Sequence, residues 1–341
     1  MKLILILAIL IPYITAGAVN AANVVMIKEA ADTSTSNAKY TIIQDNITYR
    51  FNHMVNTTTK ENIYRIFDAR TGKIILTKPG NWECAFSLVN SSLVGGLHGN
   101  QNYSALSFYK DGVKFIPAIT SPKTIAKDIT IVEKSNLYDP TNNQRICILT
   151  QIYDFNGLTL KIHNVYNWTV NSYVQTFYAA MLPANPVIYT NAILSGGKYE
   201  NLSKTLNQDL YRYDSASGKF WSNNGLYMNL TVLNPSISLN NYLFNGKTKT
   251  YIKQNGFYNK LYITRVSYPD PEQINMGDIW DIKSEYVIWN ENETLWNNNS
   301  IENYPEEENI IGMQDTGTPF TGIILALLLL IGGFYINRRS L

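Results

Sequence analysis

The sequence predicts an all-β protein, a large antiparallel β-sandwich that ends in a C-terminal transmembrane helix. Three observations predict it. Tight-turn dipeptides punctuate the middle of the chain, the runs between them alternate apolar and polar residues with period two, and a charge-free apolar run stands near the C-terminus. Asp111-Gly112 joins Ala105–Lys110 to Val113–Ala118, and Asn156-Gly157 joins Ile148–Phe155 to Leu158–Val165. Asn245-Gly246 joins a further pair of strand-like runs. Asn-Gly and Asp-Gly tolerate the positive φ that type I′ hairpins need at both central positions. Longer hairpin loops are expected at Arg70-Thr71-Gly72 and at Ser215 to Gly218. In Leu158 to His163 the apolar side chains all fall on one face, as a half-buried strand requires. No sustained helical period interrupts this pattern between the two ends, and many short strands with tight turns read as a sandwich.

The ends set the expected compartment. Met1-Lys2, the apolar run Leu3 to Ile11 and small residues up to Ala21 form a secretory signal over residues 1–21. Phe320 to Ile336 is apolar apart from Thr321 and carries no charge. Its seventeen residues span about 25 Å as a helix, the short end of a membrane crossing. Arg338-Arg339 then predict a cytoplasmic C-terminus by the positive-inside bias. The organisation expected is therefore a signal peptide at 1–21, an extracellular sandwich at 30–290, a polar acidic stalk at 291–318, a transmembrane helix at 319–337 and a cytoplasmic tail at 338–341. That organisation predicts a single-pass type I membrane protein with its ectodomain outside the cell.

Composition narrows the function. Lys and Arg number 28 against 26 Asp and Glu, a net charge of +2, which removes the basic footprint of a nucleic-acid binder. Charged residues are 16 % of the chain, below the roughly 25 % of ordinary soluble domains. Amides and phenols take their place, with 40 Asn and 24 Tyr. Nine N-x-Ser/Thr sequons mark glycosylation candidates at Asn46, Asn56, Asn90, Asn102, Asn167, Asn201, Asn229, Asn292 and Asn298. So many asparagines would generate several of these by chance. Cys84 and Cys147 are the only cysteines, and an even count in an exported domain favours one disulfide, against a reading as two buried thiols. Two Cys and three scattered His supply no zinc set, no metal or other cofactor is implied, and no phosphate loop or nucleophile elbow is present.

Two resemblances add to this. The tail Met313-Gln314-Asp315-Thr316-Gly317-Thr318-Pro319, an apolar helix and Arg-Arg resemble the C-terminal anchors of archaeal cell-surface and adhesin-like proteins. That resemblance implies attachment to an archaeal envelope and processing at the box. The ectodomain motifs are Gly95-Gly96-Leu97-His98-Gly99, Lys110-Asp111-Gly112, Trp168, Thr176 to Pro183, Asn259 to Tyr262 and Gly277 to Tyr286. Together they resemble the supersandwich modules of galactose mutarotases and the β-domains of polysaccharide lyases, which implies a carbohydrate-facing sheet. In that pattern an acidic residue follows His-Gly by two positions, and here Gln101 stands there.

Candidate site residues follow from sugar chemistry. Tyr and Trp stack on the apolar faces of sugar rings, and amides pair with hydroxyls. Tyr166 and Trp168, close to Asn164, Asn167, Asn171 and Gln175, are the expected stacking residues, with His163 on the same strand and His98 on a neighbouring loop. Filling the sandwich core is the competing reading for each aromatic. His98 is the one candidate catalytic residue, a general base aided by Tyr103 or Tyr109, against a reading as a loop histidine that fixes the glycine turn. The function expected is a membrane-anchored surface protein that binds envelope or host glycan. An extracellular polysaccharide lyase or sugar epimerase is the catalytic alternative, and it needs a convergent cluster of His, Tyr and Arg or carboxylate on one concave sheet, with Arg145, Arg212 and Arg265 as the arginine candidates. A structural envelope component is the third.

Overall fold

A computed structural model describes residues 23–29, 38–44, 47–53, 63–68, 85–118, 123–157, 159–194, 199–202, 208–209, 216–223, 225–233, 250–254 and 259–290. In chain order the strands are β1 (Val24–Lys28), β2 (Ala38–Gln44), β3 (Ile47–His53), β4 (Ile63–Asp68) and β5 (Phe86–Leu88). A single 3-10 turn, Gly96–His98, precedes β6 (Gln101–Lys110), β7 (Val113–Phe115), β8 (Lys123–Ala126) and β9 (Asp128–Tyr138). Then come β10 (Arg145–Asn156), β11 (Thr159–Trp168), β12 (Ser172–Ala184), β13 (Asn191–Leu194), β14 (Tyr199–Asn201) and β15 (Gln208–Asp209). The last are β16 (Ser217–Trp221), β17 (Leu226–Leu233), β18 (Thr250–Gln254), β19 (Asn259–Val266), β20 (Glu272–Ile274) and β21 (Ile279–Asn290).

The described residues form an all-β, antiparallel sandwich, as the turn signals and alternation predict. One layer is a ten-stranded sheet in the order β14-β13-β16-β17-β21-β11-β10-β9-β6-β7. The other layer is shared by two sheets. A five-stranded sheet, β4-β3-β2-β1-β8, covers the β6–β10 part of the large sheet. Tyr40 meets Phe108 at 4.8 Å between ring centroids, Tyr49 meets Phe155 at 5.3 Å and Phe51 meets Tyr153 at 5.2 Å. A six-stranded sheet, β15-β18-β19-β12-β20 with β5 paired to β12, covers the rest. There Phe177 packs on Tyr166 at 4.8 Å and on Trp280 at 5.0 Å. These edge-on and tilted pairs are the arrangements that aromatic quadrupoles prefer.

The strands explain the layers. β10 and β11 bury alternate residues, so each has one face in the core and one toward solvent. β19 is buried at every position, because its second face carries a satellite core of Ala85, Tyr178, Met181 and Tyr262 with Leu93 and Tyr251 against it. Leu261 on its first face packs over the large sheet: a Cβ on Gly218 would stand 2.6 Å from Leu261 Cδ2 and 2.8 Å from Leu194 Cδ2. Gly218 is therefore a strand residue under a neighbouring sheet, and the hairpin loop expected at Ser215 to Gly218 gives way to β16. Asp111 and Gly112 take φ of 49° and 78°, as the expected type I′ turn requires. At the β10–β11 hairpin Asn156 still belongs to β10 and pairs with Thr159, so the turn begins at Gly157, one residue later than expected. The sheet also starts earlier than residue 30, at Val24, which pairs with Gln44 and Ala126.

Among the described residues no helix is long and apolar enough to cross a membrane. The expected signal, stalk, span and tail, at 1–21, 291–318, 319–337 and 338–341, lie outside the described residues, as does the expected Asn245-Gly246 turn.

Candidate functional site

The outer face of the ten-stranded sheet is where half-exposed side chains collect, because its inner face is covered by the other two sheets. Its composition follows from parity. On β11 the even positions Leu160, Ile162, Asn164, Tyr166 and Trp168 are buried, while Lys161, His163, Val165 and Asn167 point outward. On β17 Leu226, Met228, Leu230 and Val232 are buried, and Tyr227, Asn229, Thr231 and Leu233 point outward. On β16 Gly218 and Phe220 are buried beneath Lys219 and Trp221.

Strand register arranges these residues in rows. One row runs Asn191, Trp221, Tyr227, and its next register position is Trp289 on β21. The row beside it runs Ile193, Lys219, Asn229, Val287. A third carries alternating charge: Glu285 aligned with Lys161, and Lys161 with Asp154. A fourth holds Lys283, His163 and Ile152.

Two groupings on this face have chemical character. The first is an aromatic platform near one edge. Trp221 and Tyr227 are direct cross-strand partners and both are half-buried. Lys219 Nζ lies 4.0 Å from the Tyr227 ring centroid and 5.8 Å from that of Trp221. An ammonium in this position is attracted by the negative face of each ring. The edge is braced by Asn191, whose side-chain amide donates to the Trp221 carbonyl at 3.4 Å and to Asn223 Oδ1 at 3.1 Å. The second grouping is central. His163 Nε2 and Asp281 Oδ1 are 2.6 Å apart, each side chain 27 % exposed. An ionised carboxylate only accepts, so Nε2 is the donor of this pair. One row away, burial raises the pKa of Asp154 above the ordinary carboxylate value, and the charge of Asp128 raises it further. The Thr130 hydroxyl and Lys161 oppose that shift.

The residues expected to form a sugar site do not share a surface. His163 is on the outer face, as its place on the polar side of the strand predicts. Trp168 is 0 % exposed and Tyr166 1 %. Trp168 packs on Phe86 at 5.0 Å and Trp280 at 5.1 Å, and Tyr166 stacks parallel to it at 6.2 Å. Both aromatics are core residues, and the stacking role expected of them is corrected. Parity is the physical reason: 166 and 168 continue the inward series 160, 162, 164.

His98 is half-buried and belongs to the turn that feeds β6, three strands from β11. That turn is fixed by its backbone. Gly95, Gly96 and Gly99 have φ of 93°, 56° and 75°, and the Gly95 amide donates to the Gly99 carbonyl at 3.0 Å. Gln101, standing where the resembling pattern has an acid, is buried beneath it. Its Oε1 accepts from the Gly96 amide at 3.0 Å, and its Nε2 donates to Ser135 Oγ at 2.9 Å and Gln151 Oε1 at 3.3 Å. Gln151 Nε2 donates in turn to Tyr153 Oη at 2.9 Å. At Gln101 the molecule has a neutral carboxamide bracing a turn, in place of an acid.

Of the arginines that a catalytic centre would need, Arg265 is engaged elsewhere. It grips Glu272 through Nε at 3.1 Å and a terminal nitrogen at 2.7 Å, while its guanidinium lies 3.4 Å from the Trp280 ring centroid. Arg145 begins β10 at the exposed end, and Arg212 lies outside the described residues. Among the described residues no three His, Cys, Asp or Glu gather into a metal-holding group. Cys147 is buried on β10, and its expected partner Cys84 lies outside the described residues. Of the sequon asparagines, Asn90, Asn102, Asn167 and Asn201 are exposed and Asn229 is half-buried, while Asn46, Asn56, Asn292 and Asn298 lie outside the described residues.

Lys219, Trp221 and Tyr227 were not among the expected site residues. Their signal is in the sequence all the same: Leu226, Met228 and Leu230 alternate with Tyr227 and Asn229, which places Tyr227 on the outward face. Reading Ser215 to Gly218 as a loop hides the matching alternation on β16.

No family model matches the chain, and no curated protein matches it. Solved structures do. The galactosidase domain of an α-galactosidase–sucrose kinase, AgaSK, aligns over 77 % of this chain and 42 % of its own length, with 7 % identity and a TM-score of 0.48. The α-galactosidase AgaB of Geobacillus stearothermophilus aligns over 76 % of this chain and 41 % of its own, with 9 % identity and a TM-score of 0.46. A mutarotase-like protein, YeaD, of Salmonella typhimurium aligns over 78 % of this chain and 94 % of its own, with 8 % identity and a TM-score of 0.41. The chain thus spans about two fifths of the galactosidases it matches. At such low similarity these likenesses assign neither an activity nor a substrate to it.

Proposed function

We propose that the chain is a cell-surface protein, anchored by its C-terminal apolar segment, that binds carbohydrate on the outer face of its ten-stranded sheet. The contact is the Trp221–Tyr227 platform. One observation carries this reading: two half-buried aromatic side chains in direct cross-strand register, on the sheet face turned away from the two other described sheets. A sugar's C–H face needs a flat apolar surface with polar groups at its margin, and Tyr and Trp supply both. Asn229 and Lys219 stand at that margin with donors for hydroxyls. A shallow open site of this kind gives weak single contacts, with a dissociation constant of ~0.1–1 mM, so useful adhesion comes from many copies on one surface.

The test is a glycan array on the full chain, repeated with Trp221→Ala and with His163→Ala. Binding lost in Trp221→Ala and kept in His163→Ala supports the platform. Absence of binding to any glycan, or binding indifferent to Trp221→Ala, overturns it. Release of a chemically altered sugar, abolished by His163→Ala, would move the protein into the enzyme class. Anchorage is tested separately: a chain lacking residues 319–341 should leave the membrane fraction, and persistence there after a high-salt wash rejects the anchor.

A further inference from the structure

We propose that the acidic segment at 291–311 docks, within its own chain, against the basic edge of the sandwich around the β6–β7 turn. This inference is independent of the sugar and anchorage readings. Residues 291–318 hold seven acids, among them Glu302, Glu306, Glu307 and Glu308, and no Lys, Arg or His. Leu295, Trp296, Ile301 and Tyr304 stand among those acids.

The edge is the complement of that segment in charge and in apolar surface. Among the described residues β7 is the last strand of the ten-stranded sheet, and the stretch of chain through β7 and β8 exposes Lys110, Lys114, Lys123 and Lys127. Hydrogen bonds tie the stretch into one surface. The Asp111 carboxylate accepts from the Lys127 and Asp128 amides at 2.8 and 3.1 Å, and Lys28 Nζ donates to the Pro117 carbonyl at 3.1 Å. Among the described residues none of the four exposed lysines is held in an ion pair. The described acids here are Glu29, Asp111 and Asp128; Glu29 already accepts from the Thr41 hydroxyl, and Asp111 from two amides. Positive charge is therefore in excess. On the outer face the balance differs: Lys161 is aligned with Glu285 and Asp154, and Lys283 has Asp281 and Glu285 two residues to either side on its strand. The edge also leaves Val113 69 %, Ile116 88 % and Ile125 50 % exposed. Covering them with the apolar residues of the segment takes both surfaces out of water.

The chain leaves the sheet on the side where this edge lies. One register row runs Val287, Thr159, Asn156, Asp128, and the Asp111 amide donates to the Asp128 carbonyl at 3.2 Å. β21 ends at Asn290, three residues beyond that row. From β21 across β11, β10 and β9 to β6 is about 19 Å at the usual strand spacing. An extended chain covers that distance in about six residues. Glu302 stands twelve residues past Asn290, so it and the acids after it have the length to reach the lysines. Each exposed pair is worth little alone. Several acids on one tether, facing several lysines, act together because the tether keeps their local concentration high.

The experiment is zero-length carbodiimide coupling of the full chain, which joins a carboxylate to a lysine amine only where the two touch, followed by mass-spectrometric mapping of the links. Isotopically heavy and light chains are mixed beforehand, so that links within one chain and between chains are told apart. The aligned Glu285 and Lys161 serve as the internal control. The expected result is that links from Glu302 and Glu306 to Glu308 reach the four edge lysines about fivefold more often than they reach Lys134, an exposed lysine elsewhere on the sheet. That excess should shrink with added salt. In the double variant Lys110→Gln, Lys127→Gln, links at Lys114 and Lys123 should fall to the level of Lys134, with thermal unfolding checking that the sheet is intact. Equal yields at Lys134 and at the edge overturn the inference. An excess that neither salt nor the double variant reduces overturns it too. Links that join heavy to light chains only give the edge to a second copy and overturn docking within the chain.

Discussion

The two faces of the ten-stranded sheet are made from the same strands and differ in what their aromatic residues do. On the inner face Tyr166, Trp168 and Trp280 interlock with Phe86 and Phe177 at centroid distances between 4.8 and 6.2 Å. On the outer face Trp221 and Tyr227 stand half-buried beside a lysine. A tryptophan on one side of this sheet is a packing element. On the other side it is a surface. The difference is one step of parity along a strand, since a shift by one residue exchanges the faces. Chemical type alone therefore does not mark a binding residue in a sandwich, whereas type combined with parity does.

The contrast would break most visibly at Trp168. Trp168→Ala removes a fully buried ring from between Phe86 and Trp280, and the expected loss is about 3–5 kcal/mol of unfolding free energy. Trp221→Ala should cost under about 1 kcal/mol, in line with a substitution outside the core. Urea unfolding of the two variants makes the comparison, and equal losses would erase the distinction drawn between the faces.

A smaller effect is expected at Gly218. A methyl there meets Leu261 and Leu194 at under 3 Å. Gly218→Ala should destabilise by about 1–3 kcal/mol through overpacking. Tyrosine titration sharpens the comparison next. Burial raises the Tyr40 hydroxyl from its ordinary 10.0 to about 12 and moves Tyr49 in the same direction. For a raised folded pKa the contribution is fully present below the unfolded value and is lost as pH rises through the folded one. Stability should therefore be insensitive to these phenols up to pH 10 and decline from there through about 12. Tyr40→Phe should make the decline shallower, which unfolding curves at stepped alkaline pH would show.

The smallest effect belongs to the outer face. The Asp154 pKa is raised, by burial first and by Asp128 second. Its neutral form is the one the fold prefers, so stability from this group is present at acid pH and lost as pH rises through the folded pKa. At neutral pH Asp154→Asn should then be neutral or stabilising by a few tenths of a kcal/mol. A clear loss in thermal unfolding would show that the ionised carboxylate, paired with Lys161, is worth more than its burial costs.

Much of the architecture is legible in the sequence, and its limits are physical. The β6–β7 and β10–β11 hairpins follow from Asp-Gly and Asn-Gly, because turn chemistry is local. The inward direction of Tyr166 and Trp168 is also legible, by extending the alternation of Leu160 and Ile162 for three more turns of the pleat. What is not legible is which strands meet. β21 enters between β17 and β11, its pairing with β11 crossing more than a hundred residues of chain, and no local signal encodes it. That insertion brings Glu285, Lys283 and Asp281 against β11 and so creates the His163–Asp281 pair. The Trp221–Tyr227 platform stays hidden for a different reason: a serine- and glycine-rich segment looks like a loop until Leu261 and Leu194 are seen to require a glycine there.

The direction of β21 carries a consequence for what the protein can reach. The strand runs from Ile279 to Asn290, roughly 37 Å at the usual rise. Its last residues align with Leu226 and Tyr227, at the platform. From Asn290 the chain continues toward the apolar segment proposed as the anchor. On the proposed anchorage the platform stands at the end of the sheet from which the chain leaves for the anchor. Exposed Ile279 and Met276 lie at the far end, beside the start of β21. Were both the proposed sugar site and the proposed anchorage to hold, the polymers nearest to the platform would be those close to the point of attachment, and the tip with Ile279 and Met276 would face away from it.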